Sequence, residues 1–162
     1  MKLPVSTGEF FDVCYFDLTG EKAFYDTLPR GEFGKPEFPA GLGRKFSVSH
    51  SGDFGRDDDA ILAVAFADVD EAEDIGMDIE LRRHRSKLTE QVLRRILAPG
   101  EKAVNGEYLN NFVIKEAFAK LTGKGLGMGF REYDANELIK KYRAADLSDD
   151  KYVWWILQGL NL

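Results

Sequence analysis

Apolar and polar positions alternate most clearly at Ile75-Gly76-Met77-Asp78-Ile79-Glu80. As a strand, this hexapeptide sends Ile75, Met77 and Ile79 to one face and Gly76, Asp78 and Glu80 to the other. Residues 46–51 alternate in the same way. Phe46, Val48 and His50 share one face, and Ser47, Ser49 and Ser51 share the other, which predicts a second strand. The run AILAVAFA at 60–67 is apolar throughout and predicts a buried strand. The polar segment 52–59 would join it to the preceding strand as a hairpin loop. Residues 151–157, with Trp154 and Trp155, read as a final strand. Helical spacing appears between these strands. Thr89 is a candidate N-cap, Val92, Leu93, Ile96 and Leu97 form a stripe, and Pro99-Gly100 ends it. A longer helix is predicted from Asn110 or Asn111 to Thr122, with Ile114, Ala117, Phe118 and Leu121 on its buried face and Gly123 as C-cap. A further helical portion is expected at 135–141. The segment before residue 40 holds Pro4, Pro29, Pro36 and Pro39 among glycines, and reads as loop-rich with short elements near 10–18 and 21–28.

A chain of 162 residues fits one domain and can bury a core. No apolar run is long enough to span a bilayer, and Met1-Lys2-Leu3-Pro4-Val5-Ser6-Thr7 has no apolar signal region. Cys14 is the single cysteine, which excludes an internal disulfide and a cysteine-rich zinc site. His50 and His84 are the only histidines, so a multi-histidine metal site is excluded too. These features point to a reducing cytoplasm and no membrane partner. The net charge of −6 argues against nucleic acid as partner. One stretch runs against that average: Arg82, Arg83, His84, Arg85, Lys87, Arg94 and Arg95. It is either a solvated charged face or a patch that attracts an anionic ligand or acidic partner.

Candidate chemistry centres on acids. Asp78 and Glu80 lie two residues apart on one strand face, where they repel each other. A hard divalent cation such as Mg²⁺ would relieve the repulsion, and an exposed acidic strand end has the same pattern. Glu116, on the long helix, is a possible third carboxylate, with Lys115 and Lys120 beside it. The plain alternative is an i,i+4 surface pair between Glu116 and Lys120. The stretch from Gly123 to Gly129 lacks the Gly-Lys-Ser/Thr ending of a phosphate-binding Walker loop. Ser49 and His50 are strand neighbours facing opposite ways, so they are not a hydrolase Ser–His pair.

Four blocks, in order, resemble the Sfp-type 4′-phosphopantetheinyl transferases. They are Gly34-Lys35-Pro36; Phe46-Ser47-Val48-Ser49-His50-Ser51-Gly52; Ile75-Gly76-Met77-Asp78-Ile79-Glu80; and Phe112-Val113-Ile114-Lys115-Glu116-Ala117-Phe118-Ala119-Lys120 followed by Gly123-Lys124-Gly125-Leu126. A closing strand pair near 142–144 and 151–157 fits the same class. The resemblance implies an α+β fold, an antiparallel sheet with packed helices. It would be one domain over 1–162, with an abbreviated first part at 1–45 and a main part at 46–162. It implies transfer of the 4′-phosphopantetheine arm of coenzyme A to a carrier-protein serine, releasing adenosine 3′,5′-bisphosphate. Asp78, Glu80 and Glu116 would hold Mg²⁺, Glu116 would be the general base, and Lys120 would stabilise phosphate charge. Ser49, His50 and Lys35 would contact coenzyme A, with Lys115 and Lys124 as further candidates. An acidic acyl or peptidyl carrier protein would dock on the basic stretch between Arg82 and Arg95. The basic residues that the class places in its first half have no convincing counterparts here, and a second copy of the chain could supply that wall. The competing readings are a relative that binds carrier protein or nucleotide without transfer, and a Mg²⁺-dependent phosphohydrolase.

Overall fold

The computed structural model describes residues 5–6, 13–31, 34, 36–37, 45–67, 74–125 and 129–159. Lys35 lies outside them. The strands are β1 (Val5–Ser6), β2 (Val13–Asp17), β3 (Lys45–Ser51), β4 (Ile61–Ala67), β5 (Ile75–Leu81), β6 (Arg143–Asp146) and β7 (Tyr152–Gln158). The helices are α1 (Lys22–Thr27), α2 (Glu90–Ile96), α3 (Tyr108–Thr122) and α4 (Ala135–Lys141), with a 3-10 helix at Arg82–Lys87 directly after β5. The α+β class expected from the sequence is observed. Backbone pairing is antiparallel and divides the strands into two sheets, ordered β1-β2-β4-β3 and β5-β7-β6.

Three apolar clusters explain why the strands read as they do. Ala63, Ala65 and Ala67 of β4 and Val13 of β2 face Ile75, Met77 and Ile79 of β5 and Ile156 of β7. The opposite face of β4, at Leu62, Val64 and Phe66, packs with Leu18, Phe46, Val48 and Tyr25. Both faces of β4 are therefore covered, which is why its sequence is apolar without alternation. The third cluster joins α3 and α4 to Val153, Trp155 and Leu157 of β7.

Helix α2 starts as expected, with the Thr89 side chain accepting from Val92 N at 3.3 Å. Helix α3 ends on Gly123, whose φ of 70° is a left-handed conformation that glycine adopts without a Cβ clash. It begins at Tyr108, earlier than the apolar spacing implies, because Asn110 and Asn111 at its start are buried polar residues. Asn111 accepts from Val104 N and donates to Glu101 Oε1 and Lys102 O. Asn110 accepts from Trp155 Nε1 at 2.9 Å.

Strand β5 lies tight against α3 at one point. A Cβ on Gly76 would overlap the Ala117 carbonyl oxygen and stand 2.5 Å from Leu121 N, both helix backbone atoms. Only glycine lets the helix settle here, with Glu116 and Lys120 on the adjoining turn. Gly76→Ala should displace α3 and destabilise the protein by about 3 kcal/mol, the upper end of ordinary overpacking. Urea unfolding of the variant beside wild type measures this.

Candidate functional site

Asp78 and Glu80 occupy the face of β5 that carries Gly76. Asp78 is 7% exposed, and its Oδ1 accepts from Ser49 Oγ at 2.7 Å and from Lys120 Nζ at 2.8 Å. Burial raises the Asp78 pKa most strongly. Lys120 and the Ser49 hydroxyl oppose the rise, and the Glu80 charge adds to it. Glu80 is half-buried, and its Oε1 meets the Ser51 hydroxyl and Nδ1 of His84. A carboxylate oxygen accepts, which assigns the imidazole proton to Nδ1. Glu116 is half-buried on α3 and forms no hydrogen bond among the described residues. Its pKa is raised first by burial, then by the Asp78 charge, against a lowering by Lys120, with Glu80 raising it further. The three carboxylates thus share one electrostatic environment, in which Lys120 is the opposing cation.

These acids are not closed into a cage. Among the described residues, no three histidine, cysteine or acidic side chains stand ready to hold one metal ion. The donor chemistry nevertheless fits a hard divalent cation: oxygen donors only, with burial first and neighbouring negative charge second raising the Asp78 and Glu116 pKa values. Lys120 occupies Asp78 Oδ1 in this arrangement.

The other residues anticipated from the sequence separate into groups. Ser49 is 4% exposed, and its hydroxyl bonds to Asp78 and Ile79 N, so it faces the acids and not an open ligand surface. His50 points the opposite way, exposed, with its ring 6.4 Å from that of Phe54. Lys124 is exposed just beyond α3. Lys115 requires a correction as a ligand contact. It is fully buried, and its ammonium donates to Ile96 O, Glu101 Oε2 and Phe130 O at 2.6, 2.5 and 3.1 Å. All three protons are used inside the fold, so none can reach a phosphate. The basic stretch is also partly spent. Arg82 bonds to Glu107 and Asp149 O, Arg83 to Asp57, and Arg94 to Glu90.

Ser51 and His84 were not anticipated as site residues. Signals for both exist in the sequence. Ser51 continues the serine row of β3, and His84 follows Glu80 by four residues. Two surface clefts, of about 460 and 550 Å³, lie elsewhere, one beside α2 with Arg131 and one lined by Asp17, Asp58 and Lys151.

Fold and site together define an α+β protein with a carboxylate and lysine centre between a strand and a helix. Residues 74–156 match the 4′-phosphopantetheinyl transferase superfamily, and the chain belongs to that family. The match spans Asp78, Glu80, Glu116 and Lys120. A Synechocystis sp. protein provisionally named as a 4′-phosphopantetheinyl transferase is 29% identical over 149 residues, an alignment taking in 80% of this chain and 55% of the relative. The chain thus spans about half the length of the curated relative it matches. No described helix is long and apolar enough to cross a membrane.

The raised pKa of Glu116 has a stability consequence. A carboxyl that holds its proton more tightly folded than unfolded favours the fold at low pH. That contribution is lost as pH rises from the ordinary glutamate value of 4.5 through the raised folded value. Glu116→Gln, in EDTA, should therefore be more stable than wild type at pH 7.5, and the difference should vanish in acid below 4.5. Urea midpoints across that range check the sign.

Proposed function

We propose that this protein transfers the 4′-phosphopantetheine arm of coenzyme A to a serine of an acyl or peptidyl carrier protein. The observation that carries this reading is the joint placement of Asp78, Glu80, Glu116 and Lys120 at one centre inside the segment that matches the family. Asp78, Glu80 and Glu116 would hold Mg²⁺, with Lys120 withdrawing from Asp78 to a phosphate oxygen. The bound cation would neutralise pyrophosphate charge and so lower the cost of bringing a nucleophile to a polyanion. Glu116 is free of hydrogen bonds among the described residues and has a raised pKa, both suited to a general base. It would take the proton of the carrier serine hydroxyl. The serine oxygen then bonds to the phosphorus bearing the pantetheine arm, and the bond from that phosphorus to adenosine 3′,5′-bisphosphate breaks. Lys120 would balance the charge on the phosphate oxygens. His50 and Lys124, both exposed, are the remaining candidates for coenzyme A phosphates, together with Lys35.

The alternative is a carrier or nucleotide binder that does not transfer. The Lys120–Asp78 contact favours it, since that ion pair balances the Asp78 charge without a cation. Intact-mass spectrometry separates the two. Incubation of apo carrier proteins with the chain, coenzyme A and Mg²⁺ should add one phosphopantetheine arm, and EDTA should prevent it. Glu116→Gln should slow the transfer by at least ~10²-fold, the usual contribution of a general base. A folded protein that modifies none of the carriers would favour the binding-only reading.

Docking of an acidic carrier would use what remains free of the basic stretch. Arg85, Lys87 and Arg95 form no ion pair among the described residues, and Arg85 and Lys87 are exposed on the 3-10 helix that follows Glu80. Arg85→Glu with Lys87→Glu should raise the apparent KM for carrier protein by roughly tenfold while leaving that for coenzyme A within about twofold. Steady-state kinetics with each substrate varied in turn reads both values, and equal changes would remove the docking role.

A further inference from the structure

Ser47, Ser49 and Ser51 form a row on the face of β3 that meets β5. Each hydroxyl oxygen accepts a backbone N–H of β5: from Met77 at 2.9 Å, from Ile79 at 3.2 Å and from Leu81 at 3.0 Å. The three bonds share one sequence separation of 30 residues, so β3 and β5 run in parallel. No backbone ladder joins them; the serines take its place.

The three hydroxyls differ in where the proton goes. A hydroxyl has one proton to donate. Ser49 gives it to Asp78 Oδ1, and Ser51 gives it to Glu80 Oε1. The equivalent neighbour of Ser47 is Gly76, which has no side-chain acceptor. Ser49 and Ser51 are each 4% exposed, so bulk water does not compete for these protons. His84 Nδ1 meets the same oxygen of Glu80 and lies 3.5 Å from Ser51 Oγ. Asp78 Oδ2 and Glu80 Oε2 carry no bond to the described residues, so each carboxylate is held by one oxygen with the other left for a ligand.

We propose that Ser49 and Ser51, with His84 on Glu80, are positioning residues that orient Asp78 and Glu80 toward a divalent cation, whereas Ser47 only joins the sheets. This rests on the cation reading above. Ser47→Ala is the internal control, because it removes the same bond between sheets and leaves both carboxylates clamped. Mn²⁺ binding to the full chain, followed by electron paramagnetic resonance, would compare wild type, Asp78→Asn, Ser47→Ala and Ser51→Ala. Ser51→Ala should bind Mn²⁺ roughly tenfold more weakly than Ser47→Ala, the usual scale for losing a group that orients a metal ligand. Asp78→Asn should lose the ion, which locates it. A folded Ser51→Ala protein that binds as tightly as Ser47→Ala overturns the proposal. If wild type takes no Mn²⁺, or keeps it without Asp78, the cation reading fails and the clamp is decided by urea unfolding. Ser51→Ala and Glu80→Gln should then be coupled by about tenfold in the folding equilibrium, and Ser47→Ala with Glu80→Gln uncoupled. Absence of coupling in the first pair overturns the clamp.

Discussion

The structure depends on how β5 is held. It is the edge of a three-stranded sheet, and an edge strand carries a row of backbone donors that must find acceptors. Here Ser47, Ser49 and Ser51 supply the oxygens. Another strand could have supplied carbonyls in their place, but it would have brought no hydroxyl protons. On the face of β5, the backbone of α3 comes so close at Gly76 that no side chain fits. One strand is therefore fixed along its edge by hydroxyls and on its face by a helix. The two acids that follow Gly76 on that face inherit this fixed position.

Two ion pairs show what distinguishes support from site. Glu101 and Lys115 are 2.5 Å apart with fully buried side chains. Burial lowers the Lys115 pKa, and the hydrogen bond and charge of Glu101 oppose this. Glu101 Oε1 also accepts from Asn111 and Ala135 N, and Oε2 from Ala98 N. Every strong group finds a partner, and the network ties the end of α2 to the starts of α3 and α4. A buried pair satisfied in this way specifies an arrangement and performs no chemistry. Asp78 and Lys120 are the opposite case. Three carboxylates face one lysine, whose side chain is still 32% exposed, and burial and neighbouring negative charge push Asp78 and Glu116 toward protonation. Folding alone gives no reason for such an imbalance.

Legibility in the sequence follows the range of the interaction. Helix α4 has the bounds that its pattern predicts, and α2 its Thr89 cap, because both depend on neighbours within a turn. The alternation of β3 was readable, and so was its serine face. The partner of that face was not, since it lies thirty residues away in a parallel strand joined without a backbone ladder. The 3-10 helix at Arg82–Lys87 has no apolar period to reveal it. Lys115 and Glu116 are adjacent in the sequence, where nothing separates their roles. Successive helical residues point about 100° apart, so burial of the first turns the second toward β5. Burial of Asn110 and Asn111 hid the first turn of α3 for a related reason: polar residues inside a core break the pattern that marks it.

The same register logic accounts for the spacing within the acidic strand. Gly76, Asp78 and Glu80 share a face with period two, and the serines of β3 repeat with the same period alongside them. A slip of one residue between β3 and β5 would turn the hydroxyls to the wrong positions and present Ile or Met where the acids now stand. A slip of two that put Ser49 beside Gly76 would leave Glu80 without a hydroxyl, and the opposite slip would put Ser47 beside Asp78 and Ser49 beside Glu80 and leave Ser51 without an acid. The observed alignment gives both acids a serine and leaves Ser47 beside Gly76, the residue that seats α3. Ser49 and Ser51 therefore both join β3 to β5 and hold an acid, whereas Ser47 does only the first.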